Sequence, residues 1–182
     1  MVNLEKGQKI SLEKEAGKKL TKVVMGLGWD AAVKGKNIDL DASCVMFDAN
    51  KKQKDTVWFR QLKSKDGSVI HTGDNLTGDG EGDDEQIIVN LDKVPADIAA
   101  LVFTVNSFTG QNFGSVANAV CHIMDEKGAE VALYKLSGGG NNTAMIMAKV
   151  YRHNGEWKMH AIGQPADGKT FNDLMPVIQT VL

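Results

Sequence analysis

Short apolar runs ended by glycine, asparagine or aspartate recur along the whole chain and limit its fold more than any other feature. "QKISLEK", "KVVMGLGW", "IDLDASCVMFD", "TVWFRQL", "SVIHTG", "EQIIVNL", "IAALVFTVNS", "VANAVCHIMDE", "VALYKLS", "AMIMAKVYRHN" and "EWKMHAIGQ" are short, and several alternate apolar with polar residues, the period of a strand. In "EVALYKLS", Val131 and Leu133 share one parity while Ala132, Tyr134 and Leu136 share the other, with Lys135 the exception. Asn154-Gly155 in "RHNGEWKMH" is the residue pair that a two-residue hairpin turn favours. "EKGAE" punctuates in the same way, and "SGGGNNT" reads as a hairpin loop. About ten short strands at this spacing predict an antiparallel sandwich or barrel.

Two places read as helical. "TFNDLMPVIQTVL" puts Phe171, Leu174, Met175, Ile178 and Val181 on one face, with Thr170 and Asp173 spaced as a capping pair and Pro176 costing one helix bond. "KVPADIAA" reads as one helical turn between two strands. The 182 residues suit one domain spanning 1–182, with no linker and no convincing repeat, and 42% hydrophobic residues can fill a core.

Charge and cysteine use narrow the partners. A net charge of -2 gives no bulk attraction to nucleic acid, although "KKQK" is locally basic. Cys44 and Cys121 sit in apolar runs with no zinc spacing, so two buried thiols in a reducing, cytoplasmic setting are expected. "MVNLEKGQKISLEKE" is too polar for a secretory leader, and no apolar stretch nears the roughly 20 residues needed to cross a bilayer. Membrane association is therefore expected only peripherally or through a partner, not by insertion.

The chemistry gathers in "HTGDNLTGDGEGDDEQIIVNL". Asp74, Asp79, Glu81, Asp83, Asp84 and Glu85 fall within twelve positions, and no Lys or Arg occurs from Gly67 to Asp92. Two carboxylates about 5 Å apart repel by roughly 3 kcal/mol at an effective dielectric near 20. Such a segment is either extended and solvated or held by a cation, and the strand-like runs at both ends limit how far the charges can spread. Hard oxygen donors on a glycine-bent backbone suit calcium, which takes 6–8 oxygens at about 2.3–2.6 Å. Magnesium demands a stricter octahedron, and zinc lacks donors because His71 is the only nitrogen ligand nearby. An EF-hand is excluded: starting from Asp79, position six is Asp84 instead of glycine and position twelve is Asn90 instead of glutamate. Asp39 and Asp41 in "NIDLDAS" are two apart, so a strand points both to one face while Leu40 and Ala42 point to the other. Alone they read as solvated. Beside the loop they become candidate ligands.

"GLGWD", "DLDASCVMFD", "HTGDNLTGDGEGDDEQIIVNL" and "TGQNFGSVANAVCHIMDEKGAEVALYKLS" together resemble the TerD family of tellurium-resistance and stress-response proteins, in order and over nearly the whole chain. The resemblance implies a mainly β fold, a sandwich of two antiparallel sheets, to which the pattern above adds a short C-terminal helix. It also implies two bound Ca2+ ions and a bacterial cytosolic role in resistance to tellurite, phage and other stresses. The candidate metal ligands are Asp39, Asp41, Asp74, Asn75, Asp79, Glu81, Asp83, Asp84 and Glu85.

Other constellations carry less. "GDGEG" has no Lys-Ser/Thr after it and the wrong charge for phosphate. "VNSFTGQNFGSV" places Asn106, Thr109, Gln111 and Asn112 in a polar turn, read as structural or bordering the metal site. His153 and His160 flank one hairpin and can face each other across it. No nucleophile, base and acid stand at catalytic spacing, so an enzyme is not expected. Trp29, Trp58 and Trp157 read as core or sheet-face residues. The expected function is a calcium-binding, non-enzymatic module engaging a protein partner, free or membrane-associated. The alternative is a calcium-dependent binder of a sugar, phosphate or oxyanion.

Overall fold

The alternating runs become twelve strands in the computed structural model, which describes residues 1–31, 39–73, 84–108, 110–136 and 140–182. They are β1 (Val2–Leu4), β2 (Lys9–Ser11), β3 (Lys22–Ala31), β4 (Leu40–Asp48), β5 (Gln53–Val57), β6 (Val69–His71), β7 (Glu85–Asn90), β8 (Ile98–Ser107), β9 (Val116–Met124), β10 (Glu130–Lys135), β11 (Ala144–His153) and β12 (Glu156–Ala166). The first sheet has the order β1-β10-β9-β3-β7-β6 and the second β2-β12-β11-β8-β4-β5. All pairings are antiparallel except β1 with β10, which is parallel.

Parity decides which side chains are buried where. Leu40, Ala42, Cys44 and Met46 of β4 pack into the core between the sheets with Met25, Leu27, Ile87, Val89 and Ile123. Val45 and Phe47 point to the outer face, where Phe171, Leu174 and Ile178 of helix α2 (Phe171–Val181) cover them together with Val102 and Ile146. β4 is thus covered on both faces, which is why it reads as a nearly continuous apolar run. The expected α2 face is present: Phe171, Leu174 and Ile178 are buried, and Met175 and Val181 pack against that cluster. Each fully buried side chain of this size contributes about 1.5–3 kcal/mol. The Asp173 carboxylate accepts the Lys169 N–H at 2.9 Å and the Thr170 N–H at 3.4 Å, satisfying donors at the helix start.

Four expectations need correction. "QKISLEK" is only partly strand: after β2 the chain forms α1 (Leu12–Ala16), with Ser11 capping its start and Gly17 ending it at φ 69. "TVWFRQL" leaves the sheet at Trp58, which exchanges backbone hydrogen bonds of 3.1 and 2.9 Å with Gln61 around a tight Phe59–Arg60 turn. The helical turn placed in "KVPADIAA" falls at Leu91–Lys93, because Val94 precedes Pro95 and is held extended at ψ 121. "SGGGNNT" is not a hairpin loop, since β10 lies in the first sheet and β11 in the second. Residues 137–139 lie outside the described segments. By contrast, Asn154 and Gly155 do form the hairpin turn, at φ 51 and 77, as a two-residue turn with both central residues left-handed requires.

Candidate metal centre

Of the nine candidate ligands, Asp39, Asp41, Asp84 and Glu85 lie within the described residues, while Asp74, Asn75, Asp79, Glu81 and Asp83 lie outside them. Asp84 and Glu85 stand where the acidic stretch enters the first sheet. The Asp84 N–H donates to the Leu27 carbonyl at 2.8 Å, which continues the β3–β7 ladder. Its carboxylate accepts the Trp29 N–H at 2.8 Å. Glu85 shares the inward parity of Ile87 and Val89 and is 1% exposed.

Glu85 links the two sheets. β5 pairs with β4 only from Cys44 to Phe47, so the Ala42 N–H lies beyond the end of that ladder. Glu85 Oε2 accepts it at 2.7 Å. The same oxygen lies 3.3 Å from His71 Nε2, an ion-pair distance that falls short of hydrogen-bond geometry. His71 Nδ1 accepts the Gly73 N–H at 3.0 Å. A ring nitrogen that accepts carries no proton, so this bond assigns the ring proton to Nε2, the nitrogen that faces Glu85. In the sequence His71 stands only as a lone nitrogen donor. Its position opposite Ile87 on β6, with both ring nitrogens directed to chain features, could not be read from spacing.

Asp41 is 6% exposed and lies on the outer face of the second sheet, with Leu40 and Ala42 directed into the core as alternation requires. It pairs in register with Asn106 of β8. Asp39 precedes β4 and is half-buried, and its carbonyl accepts the Phe108 N–H at 3.2 Å. Asn106 therefore belongs to a strand, not to the polar turn in which the sequence reading put it. Glu85 and Ala42, 43 residues apart, bring the end of the acidic stretch to the start of β4. Among the described residues alone, no three His, Cys, Asp or Glu side chains converge as a metal site.

The donors that are described fit a hard cation in kind: carboxylates at Asp39, Asp41 and Asp84, and a buried amide oxygen at Asn106. Burial pushes the Cys44 thiol far up, and Cys121 is also fully buried. The two imidazoles of the β11–β12 hairpin do not face each other: His153 pairs with Glu156 and His160 with Lys149. Trp29 and Trp157 are in the core, as expected. Trp58 packs half-buried against the outer-face cluster, where its ring meets Phe59 and Phe171, and Phe59 meets Phe108, with ring centroids 5.0–5.6 Å apart in edge-on arrangement. Arg60 lies 5.6 Å from the rings of both Trp58 and Phe59, and Phe108 is 41% exposed. No helix among the described residues is long and apolar enough to cross a membrane.

A family model described as the TerD domain matches residues 1–176. The chain is 46% identical to "Tellurium resistance protein TerZ" of Serratia marcescens over 184 residues, covering 96% of this chain and 95% of that one. It is 42% identical to "Stress response protein SCP2" of Bacillus subtilis (strain 168), covering 96% and 97%. Among solved structures, a homologue of telluride resistance protein (TerD) from Streptomyces coelicolor A3(2) superposes with a TM-score of 0.74 at 21% identity, over 86% of this chain and 96% of that one, a likeness of fold.

Proposed function

Since the chain belongs to the TerD domain family, we propose that it is a calcium-binding, non-enzymatic interaction module acting in the tellurium-resistance and stress responses for which its relatives are named. The observation that supports this reading is the 2.7 Å bond from the Ala42 N–H to Glu85, which sets the last residue of the acidic stretch beside the start of β4, next to Asp41 in sequence. Like charges gathered there are unfavourable unless a cation or water stands between them. Bound calcium would supply that counter-charge and fix the loop to the sheets. Asp39, Asp41, Asp74, Asn75, Asp79, Glu81, Asp83 and Asp84 would furnish oxygens for two ions, and Glu85 would brace the loop's end. The partner would be a protein, and the Trp58–Phe59–Phe108 cluster under Arg60 is a suitable contact surface, tied to Asp39 through the Phe108 N–H. Two buried thiols outside any disulfide suit a cytoplasmic setting.

The same aromatic surface favours one second reading, a calcium-dependent binder of a sugar or an oxyanion, in which an open coordination position would hold the ligand beside the rings. Calorimetric titration of chelator-stripped protein tests the first reading. Calcium at 100 times its dissociation constant should add about 2.7 kcal/mol, which raises the melting temperature by roughly 5–11 °C for a domain of this size. A melting temperature unchanged by millimolar calcium, or zinc binding tighter than calcium, refutes it.

A further inference from the structure

We infer that Asn106 is a further calcium ligand through Oδ1 and that its amide nitrogen couples the ion to the C-terminal helix, an inference that rests on the calcium reading above. Asp41, Asn106, Ala144 and Ala166 form one cross-strand row on the outer face of the second sheet, where β12 runs out towards α2. Directly opposed residues hold their Cβ atoms about 4.5–5.5 Å apart, so the Asn106 amide and the Asp41 carboxylate are neighbours. Asn106 is 1% exposed. Its Nδ2 donates to the Gly168 carbonyl at 3.2 Å. Its Oδ1 is buried and has no hydrogen-bond partner among the described residues.

The orientation of this amide is fixed. Turning it over would set Oδ1 against the Gly168 carbonyl, acceptor against acceptor. A buried acceptor left without a donor is costly, so a cation or a water beside this oxygen would be stabilised. Its neighbours in the row supply no donor: the alanines are apolar, and a carboxylate accepts. An oxygen beside an acidic side chain is what calcium uses, because a neutral amide adds a ligand without adding repulsion.

The second half follows from the other end of the same amide. Gly168 also donates its N–H to Thr143 Oγ1 at 3.1 Å, and Asp167 Oδ1 accepts the Thr143 N–H at 3.1 Å. This turn leads within three residues to Phe171, the first residue of α2. An ion on Oδ1 polarises the amide and strengthens its Nδ2 bond to Gly168. Calcium occupancy then tightens the seat of α2 on the outer face.

Two substitutions in the full chain separate the roles. Asn106→Asp keeps a ligand oxygen and loses the donor to Gly168, whereas Asn106→Ala loses both. Calcium chloride is titrated calorimetrically into chelator-stripped protein, and hydrogen exchange of the α2 amides is followed with and without calcium. In the parent, calcium should slow exchange at the start of α2. Asn106→Ala should weaken at least one calcium step about tenfold or more. Asn106→Asp should bind at least as tightly as the parent, show a larger calcium-induced rise in melting temperature, and lose the calcium effect on α2. Equal loss of affinity in both variants, or no loss in Asn106→Ala while Asp41→Asn loses a step, overturns the inference and leaves the calcium reading standing. No calcium binding by the parent refutes that reading itself. If Asn106→Ala does not fold, the near-isosteric Asn106→Asp decides, since loss of a calcium step there excludes a ligand role.

Discussion

Replacing Glu85 by glutamine changes the shape of the side chain little and removes the charge that serves both sheets. Oε2 of Glu85 accepts the Ala42 N–H at 2.7 Å and faces His71 Nε2 at 3.3 Å, and the residue is 1% exposed. If the amide oxygen of the glutamine takes that place, a charge-assisted bond becomes a neutral one. Hydrogen bonds to charged groups contribute about 1.5–3 kcal/mol and neutral ones about 0.5–1.5, so the difference is about 1–1.5 kcal/mol for the Ala42 bond. The weakened contact with His71 brings the total to about 1–3 kcal/mol. If the amide nitrogen takes the place instead, it meets two donors, which is worse. For a domain of this length about 1–3 kcal/mol lowers the melting temperature by roughly 2–12 °C. The measurement is urea unfolding in excess chelator, so that no ion contributes, with Asp41→Asn in parallel. Glu85→Gln should lose stability there while Asp41→Asn loses little. A Glu85→Gln variant within about 0.5 kcal/mol of the parent in chelator, but weakened in calcium, would show that Glu85 acts through the ion and not as a clasp between sheets.

Two further outcomes test the frame. The Lys18 ammonium at 2.8 Å, then the Ala129 N–H, hold the Asp125 carboxyl down to about 2. A depressed carboxyl stabilises the fold above its unfolded value near 3.8 and loses that contribution as pH falls towards 2. The melting-temperature advantage of the parent over Asp125→Asn should be constant above about pH 4 and shrink steadily below it, and an advantage unchanged at pH 2.5 would contradict this. Gly163 has φ 64, and a Cβ there would collide with the Tyr134 hydroxyl from the other sheet. Gly163→Ala should cost about 1–3 kcal/mol in urea unfolding, part of it recovered by adding Tyr134→Phe, and a fully stable single variant would refute the close approach.

Features set by neighbouring residues were readable in advance. Asn154-Gly155 specifies its turn by dihedral preference alone, and the α2 face follows from a spacing of three and four. The parallel pairing of β1 with β10 was not readable, since no local pattern distinguishes it from an antiparallel edge. α1 escaped because five residues are too few to show a helical period, and only its Ser11 and Gly17 ends mark it. Trp58 looked like strand because an apolar run carries no record of where its partner strand stops. At the site, the acidic composition motivates the calcium proposal. The placement of Glu85 against Ala42 and of Asn106 against Asp41 depends on pairings across 43 and 65 residues, which composition does not encode.

The opening strands also set a schedule. β1 joins one sheet at its β10 edge and β2 joins the other at β12. A ribosome releases residues 2–11 well before residues 130–135 and 156–166 exist. At about 5–20 residues per second the wait is roughly 6–30 s. The middle strands can close over one another during that interval, but β1 and β2 have nowhere to bind until β10 and β12 arrive. This segment is thus the final latch of the sandwich. Until it closes, the backbones of β10 and β12 remain open edges on which a neighbouring nascent chain can pair.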